Sequence, residues 1–202
     1  MIDAAEALNR LREGNRRFVS GQTPAQTLSH NVRRILAGDQ APFAIVLGCS
    51  DSRVPAELVF DQSFGDLFVI RVAGNIVAPS QVGSVEFAAA RFGTKLVVVV
   101  GHQHCGAIAA TLEELLDGAT TASRNLRSIV DRIRPAVATL LAGRPGLDRQ
   151  TLAREAVRAN VRASVDHLSH GSELLERLVY NDGLMIVGAE YSLDTGVVTF
   201  LD

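Results

Sequence analysis

The stretch Phe43-Ala-Ile-Val-Leu47 decides the fold, because it is an unbroken apolar run between Pro42 and Gly48. Such a run, without polar alternation, is typical of a strand buried on both faces of a parallel sheet. Three further runs share this pattern: Leu67-Phe-Val-Ile70, Lys95-Leu-Val-Val-Val-Val100 and Leu184-Met-Ile-Val187. We therefore expect a central, mostly parallel β-sheet.

Helical patterns separate these runs. The predicted helices cover residues 79–92, 106–116, 124–141, 152–168 and 173–179. Strands that alternate with helices indicate right-handed βαβ units, so the fold class is α/β with helices flanking the sheet. After the fourth run, Asp194-Thr-Gly196 predicts a hairpin turn, and Val197–Phe200 an antiparallel C-terminal edge strand. The same three letters spell an aspartic-protease signature, but no other feature is typical of an all-β protease.

The N-terminal segment predicts a helical arm over about residues 2–20. Asp3 and Glu6 form the pattern of a capping box, and the outer faces of the helix are rich in arginine. Two interpretations stay open: the arm packs on its own domain, or it lies across a partner subunit. Because domains commonly have roughly 100–200 residues, the whole chain, 1–202, is interpreted as a single domain.

Composition excludes several classes of function. Hydrophobic residues make up 47% of the chain and charged residues 21%, which is normal for a globular protein. The net charge of −2 shows no basic surplus, so we expect no nucleic-acid partner. The longest apolar run, Leu96–Val100, is far shorter than the ~20 residues that span a membrane. The first residues lack the basic-then-apolar pattern of a secretory signal, and we expect a cytoplasmic protein.

The chemistry is expected where two strands end. Cys49 and Cys105 are the only cysteines, and each follows a predicted buried strand. Ligand sites of open parallel sheets lie outside the carboxyl ends of the strands, so the two thiolates should converge there. His102 precedes Cys105 by three residues, although spacing alone does not separate it from His104. Sulfur and imidazole donors in a tetrahedral arrangement favour zinc, one ion per chain.

Asp51 and Arg53 decide what kind of zinc site this is. A structural zinc has four protein ligands, whereas a catalytic zinc leaves one position to water. Asp51 is the nearby candidate for that fourth position, and the fork-shaped guanidinium of Arg53 competes for the same carboxylate. With Asp51 paired to Arg53, water can reach the metal. Two thiolates neutralise Zn²⁺, so we expect water to be activated above the pH of ~7 seen for three-histidine sites.

These motifs resemble those of the β-class carbonic anhydrases, over nearly the whole chain. Cys49-Ser-Asp-Ser-Arg53 and Gly101-His-Gln-His-Cys105 are similar to the family's two metal motifs, Ala7–Phe18 to its N-terminal helix, and Phe68–Asn75 to its second strand and loop. The resemblance implies that Cys49, His102 and Cys105 bind the metal, with His102 preferred over His104. It also implies that Asp51 and Arg53 orient the attacking water in the reversible hydration of CO₂ to bicarbonate and a proton. A homodimer or homotetramer with the active site between subunits is expected.

The resemblance extends to substrate-binding positions, which are Gln40, Phe68, Phe87 and the backbone N–H of Gly106. Phe87 stands where many members have tyrosine. An inhibitory bicarbonate pocket of one branch combines a tryptophan, an arginine and a tyrosine. Arg71 and Tyr191 match two of these, but Val46 occupies the tryptophan position, so we expect that pocket to be absent or weak.

Two alternatives remain beside CO₂ hydration. A zinc site of this kind also suits hydrolysis of carbon disulfide or carbonyl sulfide, which are linear molecules like CO₂. A non-catalytic zinc-binding protein is the alternative from another class. The sequence argues against it, because a closed site has no need of Arg53 beside Asp51.

Overall fold

The computed structural model describes residues 2–22, 34, 36–120 and 123–201, and these contain a five-stranded sheet in the order β2-β1-β3-β4-β5. Strands β1 to β4 are parallel, and β5 is antiparallel to β4 at the edge. The strands are β1 Ala44–Gly48, β2 Leu67–Arg71, β3 Leu96–His102, β4 Met185–Tyr191 and β5 Val198–Leu201. This topology confirms the predicted α/β class with an antiparallel C-terminal strand.

Helices cover both faces of the sheet. They are α1 Ala4–Ser20, α2 Ala56–Val59, α3 Pro79–Phe92, α4 Gly106–Asp117, α5 Arg124–Gly143, α6 Arg149–His170 and α7 Glu173–Asp182, and a 3₁₀ turn spans Ala73–Asn75. Every residue of β1 and β3 is buried, as their unbroken apolar runs predict. Within the described ranges, no helix is both long and apolar enough to cross a membrane.

Alternate residues of the central strands face two different cores. Val46 and Val98 pack in the core that α1 covers, whereas Ile45 and Val97 pack in the core covered by α3, α6 and α7. This follows from the two-residue period of a strand, which sends successive side chains to opposite faces. The carboxyl ends of β1 and β3 therefore have rigid support on both sides.

Two helix starts are explained by capping side chains. The Asp3 carboxylate accepts a hydrogen bond from the Glu6 backbone N–H at 2.8 Å, so α1 begins where the capping pattern predicts. Helix α6 begins at Arg149, earlier than the apolar periodicity predicts. The reason is that the carboxylate of Asp148 accepts hydrogen bonds from the backbone N–H groups of residues 150 and 151.

Helix α1 lies against its own chain, which is one of the two positions left open by the sequence. Its Leu11 is fully buried, and Asn15 joins it to two other segments. The Asn15 amide donates to the carbonyl oxygens of Val59 and Gly196 at 3.0 and 2.8 Å. Its side-chain oxygen accepts from the Val198 backbone N–H at 2.9 Å. One buried amide thus anchors α1 to the end of α2 and to the β4–β5 hairpin.

Asn15→Ala is expected to lower the free energy of unfolding by about 2–4 kcal/mol, because each buried partner left without a hydrogen bond costs about 1–3 kcal/mol. Urea denaturation followed by circular dichroism measures the change. Asn9→Ala, at an exposed position of the same helix, is the matched control and should change stability by less than ~0.5 kcal/mol. Equal stabilities for the two variants would contradict the anchoring role of Asn15.

Candidate metal centre

The neighbouring strands β1 and β3 bring the two sequence motifs to one edge of the sheet. They are parallel, with Gly48 opposite Val100, so their carboxyl ends lie side by side. Cys49 is the first residue after β1, and His102 is the last residue of β3. Cys105 directly precedes α4, at its N-cap position. The expected convergence of the three side chains follows from this register.

The ligand atoms of Cys49, His102 and Cys105 all lie within 4.8 Å of one another, and the three residues are buried. His104, the alternative that spacing left open, is exposed and lies outside this cluster. Sulfur, nitrogen and sulfur atoms at such separations form a donor set for a borderline-soft cation.

The imidazole of His102 is oriented with one nitrogen toward the two sulfurs. Its Nδ1 lies 2.8 Å from the carbonyl oxygen of Gln103. Because a carbonyl only accepts, Nδ1 carries the proton and Nε2 keeps a free lone pair. That Nε2 is buried and has no hydrogen-bond partner among the described residues. A buried polar atom normally has a partner, and a metal ion would satisfy this one, so the residues fit a metal.

The two thiols contact each other, and this contact favours the thiolate form of Cys49. A hydrogen bond from Cys105 is the main cause that lowers the pKa of the Cys49 thiol, and the same contact raises the pKa of Cys105. The Gly74 backbone N–H also donates to Cys49 Sγ, at 3.3 Å, and further favours the thiolate. A cation held by both sulfurs would require both as thiolates, so its binding would be coupled to the loss of a proton.

Asp51 is held beside the cluster by a two-point ion pair with Arg53. Nε and Nη2 of Arg53 donate to the two carboxylate oxygens at 2.9 and 2.8 Å, and the Arg53 backbone N–H donates at 3.0 Å. The Arg53 side chain thereby holds the pKa of Asp51 well below its usual range. Asp51 Oδ2 lies 3.9 Å from His102 Nε2. The carboxylate is thus next to the donor atoms while Arg53 holds it.

Arg71 fixes the backbone that carries these groups. Its Nε donates to the Cys49 carbonyl oxygen at 3.0 Å, and its Nη2 to the Asp51 carbonyl oxygen at 2.6 Å. The sequence associated Arg71 only with an anion pocket, whereas this guanidinium contacts the loop of the metal cluster. The register offers a signal for this role, since Arg71 lies opposite Gly48 at the end of β1.

One chain does not bring all the predicted substrate-binding residues together. Gly106 directly follows Cys105, but Phe68 lies opposite Ile45, three residues before the end of β2 and so ~10 Å along the strand. Its ring centroid is 6.2 Å from that of Phe87, which is 54% exposed. Gln40 precedes β1 and lines a cavity of about 550 Å³ with Phe92. Gln40, Phe68 and Phe87 therefore lie apart from the cluster of their own chain.

Comparison with known proteins agrees with this fold and cluster. The family model described as carbonic anhydrase matches residues 44–198, more than half of the 202-residue chain. This chain belongs to the carbonic anhydrase family. Carbonic anhydrase 2 of Mycobacterium tuberculosis is 40% identical over 95% of this chain and 90% of its own length. The carbonic anhydrase of Mycolicibacterium smegmatis is 39% identical over 93% of this chain and 88% of its own.

Solved structures place this carbonic anhydrase in the β class. A β-carbonic anhydrase of Aspergillus fumigatus matches with a TM-score of 0.77 and 25% identity, over 98% of this chain and 90% of that one. The Coccomyxa β-carbonic anhydrase has a TM-score of 0.73 and 27% identity, with 96% and 86% of the two chains covered. The resemblance recognised from the two cysteine motifs is thereby confirmed.

Proposed function

We propose that this carbonic anhydrase holds one Zn²⁺ through Cys49, His102 and Cys105 and catalyses the reversible hydration of CO₂ to bicarbonate and a proton. The observation that carries the proposal is the buried Nε2 of His102, which has no hydrogen-bond partner in the described chain and lies within 4.8 Å of two cysteine sulfurs. Thiolate and imidazole donors in a small tetrahedral set favour zinc over harder cations. When bound, Zn²⁺ supplies a Lewis acid that activates water.

Asp51 acts as a hydrogen-bond acceptor that orients the attacking water. Its pKa is low because Arg53 pairs with it, so it stays a carboxylate throughout the neutral range and does not store the proton. The proton from water therefore passes to solvent. Arg53 holds the carboxylate in an ion pair, so that it would not occupy the fourth position of a bound metal, while Arg71 holds the carbonyl oxygens of the same loop. Arg71 thus fixes the backbone of the loop, Arg53 fixes the Asp51 side chain, and Asp51 orients the water.

Gly106 is placed to bind the anionic product. It is the first residue of α4, and the N–H groups of a first helical turn have no partner within the helix. The positive end of the helix dipole also favours an anion there. We assign contact with bicarbonate to the Gly106 N–H.

The remaining substrate-binding residues, Gln40, Phe68 and Phe87, are assigned to the active site of a second copy. Two features support an oligomer of this kind. Strand β2 lies at the edge of the described sheet, where backbone groups are open to pairing, and Phe87 and Phe64 are more than half exposed nearby. The β-carbonic anhydrases of Sordaria macrospora, with 26% identity and a TM-score of 0.72 over 83% of this chain and 84% of that one, are described as tetrameric. A homodimer is the smallest assembly that completes the site.

A reducing compartment suits this chemistry. Cys49 and Cys105 are both free and both serve as metal ligands in the proposal, so an oxidising environment would threaten the site. We therefore assign the protein to the cytoplasm. Whole-cell fractionation followed by detection of the chain measures this location, and recovery in a secreted fraction would contradict it.

Stopped-flow measurement of CO₂ hydration by the zinc-loaded protein tests the activity. Two thiolates would cancel the charge of Zn²⁺, so the bound water should lose its proton at a higher pH than the ~7 of three-histidine zinc sites. We therefore expect more activity at pH ~9 than at pH ~7. A chelator should remove the activity and added Zn²⁺ restore it. Carbonyl sulfide and carbon disulfide, measured in the same way, should be poorer substrates. No acceleration of CO₂ hydration at either pH would overturn the proposal.

Complementation between two inactive variants tests the shared site. Gln40→Ala keeps the metal ligands, and Cys49→Ala keeps Gln40, so each homodimer lacks one part of every site. In a mixed dimer, one of the two sites contains both parts. Random mixing should therefore restore about a quarter of wild-type activity, since half of the dimers are mixed and each has one complete site. Activity that stays at the level of the separate variants would place Gln40 outside the partner's site.

A further inference from the structure

Two polar side chains interrupt the buried face of α6. Asn160 and Ser164 are 3% and 5% exposed, and their neighbours on this face include the buried Val157, Val161 and Leu168. They are four residues apart, so they lie on the same side of the helix. Burial of polar groups in such a face is unfavourable unless they form hydrogen bonds. Their partners identify what these two residues do.

Both side chains contact the 3₁₀ turn Ala73–Asn75. The Asn160 amide donates to the Gly74 carbonyl oxygen at 2.8 Å, and the Ser164 hydroxyl donates to the Asn75 carbonyl oxygen at 3.2 Å. The same turn touches the metal cluster, because the Gly74 N–H donates to Cys49 Sγ at 3.3 Å. Helix α6 is thus connected to a cluster sulfur through a single residue of the turn.

The turn needs this support because its backbone is unusual. Gly74 has a φ of 71° and Asn75 a φ of 43°, both in the left-handed region, which a non-glycine residue adopts only at a cost. A Cβ on Gly74 would also lie 2.9 Å from atoms of Ala107 and Ile133, so the position is closely packed. The two hydrogen bonds from α6 add to the turn's own hydrogen bond, from the Asn75 N–H to the Val72 carbonyl oxygen at 3.0 Å, and hold the carbonyl groups of Gly74 and Asn75.

We infer that Asn160, assisted by Ser164, is a positioning residue for the metal thiolate of Cys49. By fixing Gly74, it sets the direction of the N–H that hydrogen-bonds the sulfur, and so it controls how firmly the thiolate holds a cation. The inference rests on the proposed role of Cys49 as a metal ligand. Partners of metal ligands commonly change metal affinity by about 10–100-fold when they are removed.

The test compares metal binding in four variants of the full chain. Asn160→Leu removes the amide donor at similar size, Asn160→Gln keeps an amide donor, and Ser164→Ala removes the weaker contact. Leu168→Ala, fully buried on the same helix, is the control for general loss of stability. Zinc affinity is measured by competition with a chromophoric chelator, and the sulfur-to-metal charge-transfer band is recorded on the Co²⁺-loaded proteins.

Asn160→Leu should weaken zinc binding about 10–100-fold and shift the charge-transfer band. Ser164→Ala should change the affinity and the band less. For Asn160→Gln, both values should lie between those of Asn160→Leu and wild type. Leu168→Ala should lower the midpoint of unfolding but leave zinc affinity and the band unchanged. If Asn160→Leu does not fold, Ser164→Ala decides. Wild-type affinity and band in Asn160→Leu and Ser164→Ala would overturn the inference and leave the proposed function standing. A wild-type protein that binds neither ion would overturn both.

Discussion

Cys49→Ser and Cys105→Ser should each lose the metal and lower CO₂ hydration by about 1,000-fold or more. Among the residues that the structure describes, three donors form the cluster, and the other candidate, Asp51, is held by Arg53, so the loss of one sulfur leaves too few ligands. A Lewis acid contributes several kcal/mol to such a reaction, and each ~1.4 kcal/mol corresponds to a factor of ten in rate. Metal content by atomic emission and stopped-flow rates measure the two effects.

Serine keeps nearly the size of cysteine, so these variants separate loss of a ligand from loss of packing. Circular dichroism should show a folded protein in both cases. Asn9→Ser, exposed on α1 and far along the chain from the cluster, is the control and should keep one metal per chain and full activity. A Cys49→Ser or Cys105→Ser protein that retains one tightly bound zinc would show that the ligand set is wrong.

Arg53→Ala should lower activity by about 100-fold or more while the metal content stays near one per chain. Arg53 supplies two side-chain hydrogen bonds to Asp51, and the freed carboxylate already lies 3.9 Å from the imidazole nitrogen of the cluster. Asp51 is then free to take the fourth metal position and exclude water. A side chain positioned to accept a hydrogen bond from the reacting water typically contributes about 100-fold or more to the rate, and this sets the expected size of the effect.

A second substitution separates this closing mechanism from simple loss of charge. In Co²⁺-loaded proteins, azide should bind to wild type, fail to bind to Arg53→Ala, and bind again to Asp51→Ala/Arg53→Ala, because no carboxylate remains to fill the position. Arg144→Ala, which breaks an exposed ion pair with Glu155, is the control and should behave as wild type. Azide binding to Arg53→Ala as tight as to wild type would contradict the role of Arg53.

The strands and the convergence of the motifs were predictable from sequence because they depend on local pattern. Continuous apolar runs identified β1 and β3, and parallel neighbours necessarily place Cys49 and His102 at the same edge. The turn Asp194–Gly196 was predicted correctly, with Gly196 at a φ of 75° between the strands of a hairpin. The interpretation of residues 1–202 as one domain stays a prediction.

Contacts between distant segments were not predictable in the same way. Asn160 and Gly74 are 86 residues apart, and only the packing of α6 on the turn brings them together. The signal in the sequence was weak: two polar residues, four apart, within an otherwise apolar helix face. The separation of Phe68 from the cluster likewise follows from the register of β2 on β1, which no single run of residues encodes. Spacing alone did not separate His102 from His104; the family resemblance preferred His102, and the structure places His102 in the buried cluster.

Zinc K-edge absorption spectroscopy of the zinc-loaded protein tests the central claim most directly. The measurement is made at pH ~8.5, above the pKa of ~7 that zinc-bound water has in three-histidine sites. The account predicts two sulfur atoms at ~2.3 Å, one imidazole nitrogen at ~2.0–2.1 Å and one oxygen in the fourth position. In Asp51→Ala the spectrum should keep this oxygen, because it comes from water and not from the Asp51 carboxylate. A first shell with fewer than two sulfurs, or one filled by four sulfur and nitrogen atoms, would contradict the account.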